Sequence, residues 1–108
     1  MQQPGLTVTY STDRECVLQV AGELDVGTAP ALRDALTTLL DRNEIPDLVV
    51  EASGLSFVDS SGLAVLLMGA REWSARGGRL MLRTPSPTLS RLLDLTGVRR
   101  AFEVDEER

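Results

Sequence analysis

The residues best placed to do chemistry are Asp59-Ser60-Ser61-Gly62, two hydroxyls beside a carboxylate, directly ahead of a run with helical apolar spacing. A serine hydroxyl serves as a nucleophile when a neighbouring base takes its proton, or as an acceptor when another enzyme delivers a phosphoryl group. The rest of the composition decides between these. There is no histidine, and all 11 basic residues are arginines. That removes Ser-His-Asp and Cys-His catalysis, histidine metal sites, Schiff-base chemistry and the lysine of a phosphate-binding P-loop. Nor is there a G-x-S-x-G elbow, because Asp59 stands two residues before Ser61. A phosphoacceptor needs none of these, since the kinase brings base, metal and nucleotide. Ser60 and Ser61 are therefore candidates for being modified rather than for catalysing. The plainer reading is helix capping, for which Asp and Ser are ordinary choices at about 1 kcal/mol, and the tetrapeptide alone favours it.

The elements that must position this segment follow from periodicity. Apolar residues from 63 onward (Leu63, Leu66, Leu67, Ala70 and Trp73 or Ser74) predict a helix that begins at the serines and stops at Gly77-Gly78. Its first N–H groups lack intrahelical partners and carry partial positive charge, so the start tolerates an anion. Gly62, with no side chain, would let a partner backbone approach closely. Upstream, alternation over 6–11 predicts a strand, and 16–21 a second one that stops at Gly22, the two forming a hairpin. Residues 23–27 read as a loop into a helix with Thr28 at the N-cap, Pro30 in the first turn and Leu32, Ala35, Leu36, Leu39 and Leu40 facing a core. Leu48-Val49-Val50 is a strand buried on both faces, followed by a loop through Gly54 and Phe57. A strand over 79–83, a turn at Thr84-Pro85-Ser86-Pro87 and a helix carrying Leu89, Leu92 and Leu93 up to Gly97 complete the chain. A last strand near Phe102-Glu103-Val104 is expected, then a solvated acidic tail. The order predicts an α/β fold: a mixed, largely parallel sheet of four to five strands starting with a β-hairpin, packed with three to four helices.

At 108 residues the chain makes one domain over 1–108, with its core about 6–104. A net charge of −5 disfavours a nucleic-acid surface, and Arg71, Arg76 and Arg79 do not reverse that. The single Cys16 reads as a small buried hydrophobe, and Trp73 as an anchor of the core or its rim. The acidic residues Glu103, Asp105, Glu106 and Glu107 lack the turn glycine of a calcium loop, so no metal is expected. Residues 1–5 show no secretory pattern. The apolar run 63–70 is too short to span a bilayer, so a cytoplasmic protein without membrane contact is expected.

Gly22-Glu23-Leu24-Asp25 with Thr28-Ala29-Pro30 and Leu32-Arg33, then Phe57-Val58-Asp59-Ser60-Ser61-Gly62-Leu63, Gly77-Gly78-Arg79-Leu80 and Leu95-Thr96-Gly97-Val98 with Phe102, resemble the STAS domain family. The resemblance is to its small bacterial anti-sigma factor antagonists and runs from about Leu6 to Val104. It implies a STAS-type single domain and a non-enzymatic binding protein without cofactor, a monomer or weak dimer. The unphosphorylated form would bind an anti-sigma factor that is also a serine kinase, and so release a sigma factor. Phosphorylation of Ser61 would switch it off and a phosphatase would restore it. Asp59, Ser60, Gly62 and Leu63 would lie at the docking surface, flanked by Asp25 and Thr28. The alternatives are a STAS subunit of another assembly, such as a stress-sensing scaffold or lipid-transport complex, and a small nucleotide-binding or hydrolytic protein using the Ser61 region.

Overall fold

In the computed structural model, residues 2–3, 5–11, 15–42 and 47–105 are described. Gln2–Gln3 (β1) pairs antiparallel with Leu6–Ser11 (β2), and β2 pairs antiparallel with Val17–Leu24 (β3). The remaining strands, Asp47–Val58 (β4), Arg79–Arg83 (β5) and Glu103–Asp105 (β6), add in parallel, giving one sheet in the order β1-β2-β3-β4-β5-β6. Helices Ala29–Asp41 (α1), Ser60–Ala75 (α2) and Pro87–Thr96 (α3), with a 3-10 turn at Arg99–Ala101, make the connections. The mixed, largely parallel α/β sheet and the three helices are as expected. The short pair at Gln2–Gln3 brings the strands to six, because two residues carry no readable periodicity. The hairpin turn between β2 and β3 and the tail after Asp105 lie outside the described residues.

One face of the sheet carries the core. Leu6 and Val8, Leu18 and Val20, Leu48, Val50 and Ala52, and Leu80 and Leu82 are buried there against Leu32, Leu36 and Leu39 of α1 and Leu63, Leu66 and Trp73 of α2. The alternate residues Thr7, Thr9, Gln19, Ala21 and Ser53 are exposed, the two-residue period of a sheet with one covered face, while Val49 is buried beside Leu48 and Val50, so this part of β4 is buried on both faces as expected. Helices α1 and α2 touch each other, and at their far end the Arg76 guanidinium donates to the Leu40 carbonyl at 2.7 Å, a cation on the negative end of α1. Arg79 joins Asp47 and Glu103, so Arg76 and Arg79 work within the fold. Cys16 is buried, and burial pushes its thiol above the ordinary value while the Arg42 charge opposes in part.

Two strands run further than periodicity indicates. β3 continues through Gly22 to Leu24, so Glu23 and Leu24 are strand rather than loop. β4 spans 47–58, and the segment through Gly54 and Phe57 that reads as a loop is its second half. Its pairing with β3 skips one residue between Gln19 and Ala21 and another between Gly22 and Glu23. These bulges break the alternation, which is why the strand is hidden in the sequence. β5 accompanies β4 only to Glu51. Beyond it the edge is met by the start of α3, where Ser86 N–H donates to the Ala52 carbonyl and the Thr88 hydroxyl to the Ser56 carbonyl, so the edge is not left open.

Gly22 shows why β3 can pass beneath the chain's first turn. Its φ is +105°, and a Cβ there would lie 2.1 Å from the Gly5 carbonyl oxygen, which also accepts the Glu23 N–H. Gly22→Ala should therefore cost about 2 kcal/mol or more, read as a lower urea midpoint at unchanged slope. An unchanged midpoint would contradict this packing.

Candidate functional site

The C-terminal ends of β3 and β4 lie side by side, with Glu23 opposite Phe57 and Leu24 opposite Val58. Each strand feeds a helix there, so the first turns of α1 and α2 open on the same edge of the sheet, where open α/β folds place their sites. Asp59 is the N-cap of α2: its backbone is extended, and its carboxylate accepts the Gly62 N–H at 3.0 Å. Its own N–H donates to the Leu24 carbonyl at 3.1 Å, which ties α2 to the end of β3. The capping expected of Asp59 is thus present, and it leaves both serines in the first turn of the helix. Ser60 is exposed, and Ser61 and Asp59 are half-buried.

Gly62 is buried, and the reason for glycine differs from the expectation. A Cβ there would lie 2.4 Å from Leu24 Cγ and 2.9 Å from the Leu24 carbonyl oxygen. The space left by the missing side chain is filled by Leu24 of this same chain, not kept for a partner backbone. Leu63 is also buried, at 4% exposure, and is part of the core. Both residues underlie the surface and offer no side chain to a docking molecule.

The loop after β3 is organised by Asp25 and Thr28. The Asp25 carboxylate accepts the Gly27 N–H at 2.9 Å and the Thr28 N–H at 3.0 Å, a turn closed by its own side chain. Thr28 is the N-cap of α1 by position, yet its hydroxyl makes no capping bond. Pro30 explains this: one of the two N–H groups a cap residue normally satisfies is missing, and the other, on Ala31, bonds the Thr28 carbonyl. The hydroxyl turns back instead, accepting the Asp25 N–H at 3.0 Å and donating to the Glu23 carbonyl at 2.8 Å. Thr28 is 6% exposed, so it too lies beneath the surface, while Asp25 is half-buried.

Two exposed apolar residues at this end escape the periodicity argument: Val26, 73% exposed at the tip of the Asp25 turn, and Phe57, 47% exposed at the end of β4. The signal for Val26 was its place between Asp25 and Gly27, an apolar residue in a turn with no stripe to join. Phe57 follows the second bulge, which conceals its direction. Among the described residues, no three His, Cys, Asp or Glu side chains converge as a metal site. None of the described helices is long and apolar enough to cross a membrane.

Comparison with known proteins agrees with this architecture. The family model described as "Mlab, STAS domain" matches residues 8–104. The anti-sigma-B factor antagonist of Bacillus subtilis is 33% identical over 92 residues, 85% of this chain and 83% of that protein. Among solved structures, an anti-sigma factor antagonist from Mycobacterium paratuberculosis superposes with a TM-score of 0.84 at 27% identity, covering 99% of this chain and 92% of its own. SpoIIAA, an anti-sigma factor antagonist, superposes in its unphosphorylated form at 0.75, with 28% identity over 94% of this chain and 89% of its own. In its phosphorylated form it superposes at 0.71, with 27% identity over 94% and 92%. With a family model covering most of its length and a relative above 30% identity, the chain belongs to the STAS domain family.

Proposed function

We propose that this chain is an anti-sigma factor antagonist. Its unphosphorylated form docks through the β3–α1 and β4–α2 loops onto an anti-sigma factor with serine kinase activity, and a sigma factor is thereby released. The kinase modifies Ser61, docking is lost, and a phosphatase acting on phospho-Ser61 resets the chain. The observation that carries this reading is the placement of Ser61, half-buried in the first turn of α2 between an exposed serine and a glycine packed on Leu24. Asp25, Val26, Phe57, Ser60 and Ser61 form the contact surface, and Thr28, Gly62 and Leu63 support it from below. The likeness to relatives named as antagonists, one of them solved in both phosphorylation states, supports the same reading.

The switch needs no refolding. A phosphoserine adds about −1.5 to −2 charge two residues from Asp59, on a chain already at −5. The helix terminus offsets only about 0.3–1 kcal/mol of this at an exposed site. Enclosing the dianion in an interface costs several kcal/mol unless cations meet it. Modification therefore weakens docking far more than it alters the fold. The second reading, a STAS subunit of a larger assembly, draws on the description of the matching family model and predicts co-purification with a multisubunit particle.

Ser61→Ala should bind the anti-sigma factor as tightly as wild type and accept no phosphate, while Ser61→Asp should bind at least about tenfold more weakly. Calorimetry with the purified partner decides this, and equal affinities would sink the account. Gly62→Ala pushes the first turn of α2 off Leu24, with an expected destabilisation of about 1–3 kcal/mol. The thermal melt should show that loss, and a phosphorylation assay should show slower transfer to Ser61. A variant with native melting and native transfer would remove Leu24 as the support of the turn.

A further inference from the structure

We propose that Thr28 is the positioning residue of the docking loop. Its buried hydroxyl pins the turn that presents Val26 and, through Leu24, fixes that turn relative to Ser61. The inference rests on the functional reading above and adds to it a residue that never meets the partner. Thr28 and Ser86 are the buried polar residues among those described. The role of Ser86 is plain, since it caps α3 by accepting the Leu89 N–H. Thr28 makes no such cap. Its one hydroxyl proton goes to the Glu23 carbonyl at 2.8 Å, and its lone pair takes the Asp25 N–H at 3.0 Å. These partners are the residues on either side of Leu24, the residue that carries the first turn of α2 through its contact with Gly62 and its bond to Asp59 N–H. The same hydroxyl thus fixes the end of β3 and the start of the Asp25 turn.

A residue pinned in this way acts on geometry alone. With Thr28 in place, the Asp25 carboxylate closes on Gly27 and Thr28, and Val26 is left at the tip, 73% exposed. Without the hydroxyl, the Asp25 N–H and the Glu23 carbonyl lose a partner each, and the turn samples other conformations before docking. The fraction of chains ready to dock then falls, and apparent affinity falls with it. The phosphoryl acceptor is untouched, so turnover of the docked complex is unchanged.

The test uses Thr28→Val, close in shape but without donor or acceptor, and Thr28→Ser, which keeps the hydroxyl. Each is phosphorylated by the purified anti-sigma factor kinase that modifies the wild-type chain. Thr28→Val should raise KM about tenfold, as expected for the loss of one to two hydrogen bonds, with kcat unchanged. Thr28→Ser should stay within about twofold of wild type. On the free chain, amide exchange at Asp25 and Gly27 should be slow in wild type and Thr28→Ser and fast in Thr28→Val. A wild-type KM for Thr28→Val, a fall in kcat at constant KM, or a Thr28→Ser as impaired as Thr28→Val each overturns the proposal. Should Thr28→Val not fold, the wild-type Asp25 amide and the Thr28→Ser kinetics decide: rapid exchange or a serine variant with a large rise in KM overturns it, and protection with native kinetics supports it. A wild-type chain that no anti-sigma factor kinase modifies overturns the functional reading instead, and is recognised because the exchange pattern stays as expected.

Discussion

The contact between Gly62 and Leu24 is the constraint on which the rest of the molecule depends. Helix α2 can begin where it does only because no side chain at position 62 stands between its first turn and the end of β3. That approach brings Asp59 N–H to the Leu24 carbonyl and sets the two serines at the sheet edge. From there the helix runs back over the strands, burying Leu63, Leu66 and Trp73. Moving the first turn outward would displace both Ser61 and the core beneath it, so the candidate site and the stability share one contact. Close packing makes such a contact all or nothing: a protein interior has no slack to absorb an added methyl group at 2.4 Å.

Acidic groups around the chain fall into two uses. Ion pairs join Arg79 to Asp47 and Glu103, Arg83 to Glu15 and Asp105, and Arg99 to Asp94, along the β5, β6 and α3 side. Their carboxylates and Arg79 are exposed, and such pairs add little to stability. Asp25 and Asp59 are used differently, as acceptors of backbone N–H groups that close a turn and cap a helix. Carboxylates in that role hold local geometry, and Asp59 places negative charge two residues from Ser61, the proposed phosphoacceptor. In the function proposed for it the molecule supplies shape and charge, and the chemistry of phosphoryl transfer falls to the kinase.

What the sequence discloses and what it conceals can be traced to particular residues. Helices α1, α2 and α3 are legible because their leucines repeat at helical spacing and their ends carry Pro30, Gly77-Gly78 and Gly97. β5 is legible as a short apolar run between arginines. The second half of β4 is not, since two bulges shift its alternation twice. The caps at Asp59 and Ser86 follow the usual rule, whereas Thr28 departs from it because Pro30 takes away a donor. The serine pair was visible as a candidate, but burial of Gly62, Leu63 and Thr28 was not, because a short polar motif does not reveal which of its members face inward. Only the three-dimensional approach of Leu24 separates the surface residues from the supports.

The bulges of β4 bear on how such a sequence drifts over time. Between Glu51 and Val58 the strand carries two more residues than β3 uses over 19–24, and both are spent before the Asp59 cap is reached. Substitutions in this stretch alter a side chain on a strand that is half exposed. A one-residue deletion at either bulge removes the residue that has no partner on β3, and regular pairing can then keep Leu55, Val58 and the Asp59 cap on their present faces. Length is therefore freest between Glu51 and Asp59, where the strand holds its two extra residues, and the stretch that reads as a permissive loop is permissive as a strand.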